Sequence, residues 1–275
     1  MVANERWAEM LSGWAIPQDL IAAAPEPPYF FDPVVFAHAA DEAVQRSHDT
    51  PSDRTAREAL PVGGQVLDVG VGAGAASLRL GAGHVVGVDP SRMLLDAFAD
   101  RAERLGVDHT EIEGAWPTVA TQTPVAEVAV CHHVVYNVAD LAAFAKALTD
   151  HANTRIVIEL TAVHPMTWLK PYWRSLHGVK QPDRPTADDA VAVLREMGLS
   201  VHLQRWRRRI QMIGETGDEQ LSRIARRLCL APSRYDELRR LLENIPPPID
   251  RDVLTLWWPG EAPAGRPHRP MTGRA

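Results

Sequence analysis

The stretch VLDVGVGAGAAS, Val66 to Ser77, sets Gly70, Gly72 and Gly74 at alternate positions directly behind a run of branched apolar residues. Such a run reads as a buried strand. Glycines behind it permit a tight turn, close approach of a ligand and exposed backbone amides, and the residues after them read as the opening of a helix. The pattern alone leaves the ligand open. GVGAGA satisfies the loose dinucleotide pattern G-x-G-x-x-A, counting Ala75, and Asp89 at the end of the next strand stands where an acceptor for ribose hydroxyls belongs. Two features point elsewhere. Asp68 puts a carboxylate near the loop, where it repels a pyrophosphate and suits a ligand carrying an ammonium group. The loop also begins only at Gly70, whereas a dinucleotide fold usually opens with it.

Outward from this stretch, strand-like runs alternate with helix-like segments. QVLDVG, HVVGVD, HTEIEG, VAEVAVC and TRIVIEL are the strands, and SRMLLDAFADRAERLG and DLAAFAKALTD lie between them as helices. Ser91 and Asp140 are placed to cap those helices and Gly106 to end the first. The alternation predicts a parallel α/β sheet. Residues 1–61, with PEPPYFFDPVVFAHAADEAVQRSHD, predict a helical cap or lid over the sheet's entrance. Residues 62–260 form the main domain. In it a long aromatic loop follows Leu160, the sheet resumes with SVHLQRWRRR, two amphipathic helices form an insertion at about 215–246, and DVLTLWW gives a last strand. The tail, 261–275, is rich in Pro, Gly, Ala and Arg and predicts disorder.

Composition sets outer limits. The chain has 275 residues, 45% of them hydrophobic and 23% charged, enough for one large soluble domain. A net charge of -6 argues against whole-surface attraction to nucleic acid or an anionic membrane. Cys131 and Cys229 stand in unrelated contexts, so neither a disulfide framework nor a paired metal knuckle is expected. The N-terminus does not read as a secretory signal and no apolar run is long enough to span a bilayer, so a cytoplasmic location is expected.

With these residues in order, the chain resembles the class I S-adenosylmethionine-dependent methyltransferases. VLDVGVGAG is similar to their first motif and GVDPSRML to their acidic second-strand end. EGAWP resembles the adenine-contact motif, and AEVAVCHHVVYNVADLAAFAKAL and RIVIEL resemble the fourth and fifth strands. The likeness covers roughly Val62 to Leu160 well and the later strands more loosely. It implies a Rossmann-like seven-stranded α/β sheet with S-adenosylmethionine as cofactor. Asp68, Gly70, Gly72 and Gly74 would face the methionine moiety, and Asp89 would accept the ribose hydroxyls. Pro90 and Met93 would pack near adenine, with Glu113, Gly114, Ala115 and Trp116 around its edge. The backbone near Cys131 and His132 would approach the sulfonium. Taken alone, Met93 and Trp116 read first as core residues, and it is their order along the chain that favours the adenine-contact role.

Methyl transfer is an in-line displacement, so positioning supplies much of the catalysis, and a His or carboxylate helps where the acceptor must lose a proton. Ligands of open α/β sheets sit beyond the strand ends, where CHHVVYN follows the fourth strand. His132 and His133 are adjacent, so in extended chain they point to opposite faces and make poor joint metal ligands; no metal is expected. Catalytic candidates are His132, His133, Tyr136, Glu159 and His164. Asn137 orients substrate or caps a helix. Trp168, Tyr172, Trp173 and His177 either wall a pocket or anchor their loop. The Asn/Asp-Pro-Pro-aromatic motif of exocyclic base methylation is absent, HHVVYN standing in its place. Arg205, Arg207 and Arg209 alternate on one strand face, and Arg223, Arg226, Arg227, Arg239 and Arg240 follow among Glu215, Asp218, Glu219, Asp236, Glu237 and Glu243. That mixture reads as a solvated, partly paired surface. The expected activity is methylation of oxygen or nitrogen on a small molecule. The alternatives are an RNA or protein methyltransferase, an NAD(P)-dependent oxidoreductase and a non-catalytic cofactor-binding protein.

Overall fold

The structure, a computed structural model, describes residues 2–29, 33–209 and 217–262. Helices α1 (Ala3–Ser12), α2 (Gln18–Ala23), α3 (Pro33–Gln45) and α4 (Pro51–Ala59) precede β1 (Gln65–Val69). Then come β2 (His84–Asp89), α5 (Arg92–Leu105), β3 (Asp108–Glu113), β4 (Ala126–His132), α6 (Leu141–Thr149) and β5 (Ala152–Thr161). The chain continues through α7 (Lys170–His177), α8 (Ala187–Glu196), β6 (His202–Arg209), α9 (Gly217–Arg227), α10 (Tyr235–Asn244) and β7 (Asp250–Pro259). The caps lie where the side-chain chemistry puts them. Ser91 Oγ accepts from Leu94 N, Asp140 Oδ1 accepts from Ala143 N, and Gly106 ends α5 at φ 65°.

The strands form a seven-stranded sheet in the order β3-β2-β1-β4-β5-β7-β6. The pairs from β3 through to β5 are parallel, and β7 runs antiparallel between β5 and β6. The order reverses between β1 and β4, so their carboxyl ends diverge into a crevice, the usual ligand position in such a sheet. Both faces are covered, which is why the strands read as continuous apolar runs. Leu67, Val69, Ala129, Cys131, Ile156 and Ile158 pack with residues of α1, α6 and α8. Their alternates Val66, Val128, Val130 and Val157 pack with Ala56 of α4.

Several expectations need correction. Residues 70–80, expected to open a helix, are turns, and Leu78 N to Gly74 O is a single helical bond. Three glycines with positive φ, at 74°, 55° and 91°, break helical continuity at every second residue. The tail's first residues are tied down: Glu261 N donates to Thr149 O and Ala262 N to Ala152 O. The rest of the expected disordered tail, 263–275, lies outside the described residues, as do Phe30 to Asp32 and the start of the helical insertion, 215–216.

The N-terminal helices are built into the domain. Ala3 N donates to both carboxylate oxygens of Glu196, so an acid from α8 satisfies the open end of α1. Trp7 is fully buried in the main core, with Nε1 donating to Val138 O at 2.7 Å and its ring 5.7 Å from that of Tyr136. On α3, Asp41 receives a bidentate pair of bonds from Arg101 of α5 at 2.9 and 3.1 Å. Trp7→Ala is therefore expected to cost about 3–5 kcal/mol, read as a lower urea midpoint. A loss below about 1 kcal/mol would show that α1 is peripheral.

Candidate active site

The loop after β1 is built for close approach. Gly70 N and Val71 N both donate to Val88 O, which folds the chain back over β2. A Cβ at Gly70 would lie 2.3 Å from Val134 Cγ2, so the loop and the segment after β4 touch because no side chain intervenes. A Cβ at Gly72 would lie 3.0 Å from the ring of Phe36, which places α3 directly over the loop. Beneath it Asp68 is fully buried. Ser77 Oγ donates to its Oδ2 at 2.7 Å, while Oδ1 is buried without a partner among the described residues. Burial pushes the Asp68 carboxyl up to about 7, against the bond from Ser77 and with a further push from Asp89.

Asp89 closes the other side. Gly72 N donates to its Oδ2 at 3.1 Å and Ser91 N to its Oδ1 at 2.9 Å. Burial raises its pKa, and these two bonds oppose the rise. Around it Pro90, Met93, Glu113 and Ala115 are exposed, and Gly114 N donates to Asp89 O at 3.1 Å. Met93 keeps 52% of its surface open, which leaves it able to lie against a flat ring. Trp116 does not join this rim. Its indole N–H reaches Phe144 O at 3.3 Å and its ring meets His151 edge-on at 5.1 Å, so it packs as a core residue. A carboxylate anchored by the glycine loop, an exposed apolar rim and an orphaned buried oxygen beneath the loop fit a ligand with a diol, a planar ring and a cationic end.

At the carboxyl ends of β4 and β5 the structure overturns the expectation that His132 and His133 face opposite ways. His133 adopts φ 60°, a left-handed conformation uncommon outside glycine, and this turn brings both imidazoles to one carboxylate. His133 Nε2 lies 3.1 Å from Glu159 Oε1, and His132 Nδ1 lies 4.0 Å from Oε2. His133 N donates to Glu159 O at 2.7 Å, fixing the turn. Burial alone would raise the Glu159 carboxyl, but His132, the bond from His133 and Arg208 outweigh it and hold it below the usual carboxylate range. Burial lowers the His132 pKa, with Glu159 opposing and His133 adding, and its Nε2 is buried without a partner among the described residues. Arg208 Nη1 stands 3.3 Å from Glu159 Oε1 and 3.4 Å from His133 Nε2.

Arg208 was missed by the sequence reading, which followed Arg205, Arg207 and Arg209 on the other face of the strand. The parity of Trp206, whose Nε1 donates to buried Thr255, is the signal that would have found it. Tyr136 and His164 are not brought to this cluster. The Tyr136 hydroxyl donates to Thr161 O, and burial raises its pKa. His164 stacks on Trp14 at 3.8 Å, accepts from Met166 N, and is lowered to about 4 by burial. Both side chains are spent on anchoring the N-terminal segment. Cys131 is fully buried, its thiol pushed up by burial. Of the aromatic loop, Tyr172 and Trp173 are buried against α9 and α10, and His177 Nε2 bonds Leu228 O. They anchor the helical insertion. The surface arginines are largely paired: Arg205 with Asp188, Arg207 with Asp252, Arg226 with Glu26, and Arg239 with Asp218 and Asp236. Among the described residues no group of three or more His, Cys, Asp or Glu side chains is arranged to hold a metal ion, and no helix is long and apolar enough to cross a membrane.

Comparison with known proteins agrees with this geometry. Residues 67–152 match the family described as a methyltransferase domain. Among solved structures, the YcgJ protein from Bacillus subtilis is similar with a TM-score of 0.53 at 16% identity, over 76% of this chain and 96% of that one. An S-adenosylmethionine-dependent methyltransferase from Geobacter sulfurreducens, solved in complex with S-adenosyl-L-homocysteine, is similar with a TM-score of 0.50 at 17% identity, over 81% and 97%. No protein of curated function matches the chain in sequence. Residues 67–152 thus carry a methyltransferase domain, and the chain shares its fold with S-adenosylmethionine-dependent methyltransferases.

The raised Asp68 carboxyl has a consequence for stability. The native state keeps this proton up to about 7, whereas the unfolded chain releases it near 3.8. Between those values the native state binds more protons, so this group makes stability fall as pH rises. Asp68→Asn removes the effect. Its stability relative to wild type should climb as pH rises across that window, read by urea unfolding at several pH values. A constant difference would show that Asp68 is ionised throughout.

Proposed function

We propose that the chain methylates a small-molecule acceptor at oxygen or nitrogen, with the glycine loop and Asp89 holding the donor and His133 serving as the base. The observation that carries this reading is the contact of His133 with Glu159 at the carboxyl end of β4, beside the loop that touches Val134. When bound, S-adenosylmethionine supplies a methyl group activated by its sulfonium. Asp89, anchored by Gly72 and Ser91, is placed to accept ribose hydroxyls, and Pro90, Met93, Glu113 and Ala115 line the space for the base. Asp68 is placed to offset the positive end of the donor through the loop. The helix α3, with Phe36 over Gly72, acts as the lid.

The acceptor side follows from the tautomer of His133. With the Nε2 proton directed at Glu159, Nδ1 is an acceptor without a partner among the described residues. It can take a proton from an acceptor hydroxyl or ammonium, and Glu159 stabilises the imidazolium that forms. A small acceptor is favoured over RNA because the surface arginines are largely paired with acids and the net charge is -6.

Incubation with methyl-labelled donor and fractionated cell extract tests the proposal. Label should appear in the low-molecular-weight fraction; label confined to RNA or protein would overturn the choice of acceptor. Asp89→Ala is expected to weaken S-adenosylhomocysteine binding by about tenfold or more, as loss of charge-assisted hydrogen bonds implies. His133→Gln should leave that binding unchanged and lower kcat by about 10²- to 10⁴-fold. An unchanged kcat would remove His133 from the chemistry.

A further inference from the structure

Beyond Glu159 the sheet carries two arginines in an arrangement that needs explanation. Arg208 of β6 and Arg251 of β7 are register partners, directly opposite each other across the antiparallel pair. Residues directly opposite share a face, and like charges in that position destabilise a sheet. The register fixes which face. Glu159 is opposite Thr255, and Thr255 and Arg251 share a parity on β7, so both arginines stand on the face of Glu159 and His132. Asp250 and Asp252 alternate to the other face, where Asp252 meets Arg207. Both arginines lie at the end of the sheet where β1, β4 and β5 finish, since Thr161, the last residue of β5, pairs with Val253.

The two guanidiniums are not equivalent. Arg208 has Glu159 at 3.3 Å, whereas half-buried Arg251 has no carboxylate within ion-pair distance among the described residues. A partly desolvated cation facing a like charge is costly, and its expected complement is an anion. We propose that Arg251, with Arg208, forms an anion-binding subsite for the acceptor, which therefore carries an oxo-acid group, a carboxylate or a phosphate, next to the atom that is methylated. Guanidinium pairs suit such groups because they bind two oxygens in a plane. Arg208 touches His133, so an anion on this pair sets the acceptor beside the base. Burial and Arg208 both lower the Arg251 pKa, as expected of a cation lacking a counter-charge.

The subsite rests on the function proposed above for its role, and its existence can be tested separately. Inorganic phosphate and benzoate, standing for the two oxo-acid classes, are titrated at constant ionic strength into the full chain and into Arg251→Gln, Arg251→Lys and Arg205→Gln. Wild type should bind at least one of them saturably, and the one preferred assigns the class. Arg251→Gln should weaken that binding by about tenfold or more, the loss of a charge-assisted bond. Arg251→Lys should keep part of it, and Arg205→Gln, the same charge change on the opposite face, should keep all of it. Arg251→Gln is also expected to melt no lower than wild type in the absence of anion, because it relieves a like-charge pair. Failure of wild type to bind either anion, or equal loss in Arg251→Gln and Arg205→Gln, would overturn the subsite. S-adenosylhomocysteine titrated into the same proteins should bind all of them alike. If it binds none, the donor assignment fails while the anion result stands on its own.

Discussion

The amide of Gly72 donates to the carboxylate of Asp89 across 3.1 Å, and this bond ties the first βα loop to the end of the second strand. The amide reaches it through three left-handed residues within five, the positive φ angles of Gly70, Gly72 and Gly74. Once formed, the bond fixes two things together. The loop lies low enough for Val134, behind β4, to rest on Gly70, and one of the Asp89 oxygens is oriented before any ligand arrives. The glycine loop and the segment that carries His133 thus meet at Gly70 and Val134, a fixed arrangement of the kind positional catalysis requires.

Around that surface, charge is arranged in layers of decreasing satisfaction. The N-terminal helices are held by well-matched groups: Asp41 with Arg101, Glu196 with the end of α1, and Asp53 with Arg46 and Arg79. Glu159 is surrounded by His132, His133 and Arg208 and is held ionised. Asp68, below the glycine loop, and Arg251, at the far rim of the sheet, are among the groups left with unmet demand. Burying polar groups incompletely costs stability, and such groups concentrate where a ligand completes them.

Much of the fold was legible in the sequence because the signals were local. The strands are apolar runs covered on both faces, and Ser91, Asp140 and Gly106 cap helices through contacts within a few residues. What escaped depended on backbone conformation or on distant partners. A left-handed histidine gives no warning in sequence, so His132 and His133 were read as divergent when they converge. Arg208 was hidden by the arginines beside it, and the register with β7 shows that it shares the face of Glu159. Trp116, Tyr136 and His164 sit in the right segments, but their polar atoms are claimed by Phe144, Thr161 and Met166. Residue type and order located the site's neighbourhood; long-range packing decided which side chains enter it.

The central claim is that the glycine loop and Asp89 hold S-adenosylmethionine with its reactive end at the turn carrying His133. A crystal structure of the chain with S-adenosylhomocysteine tests it most directly. The ribose hydroxyls should lie on the Asp89 carboxylate, and the sulfur should point to the turn at His132 and His133. A ligand whose ribose rests away from Asp89, or whose sulfur faces away from the end of β4, would contradict the account.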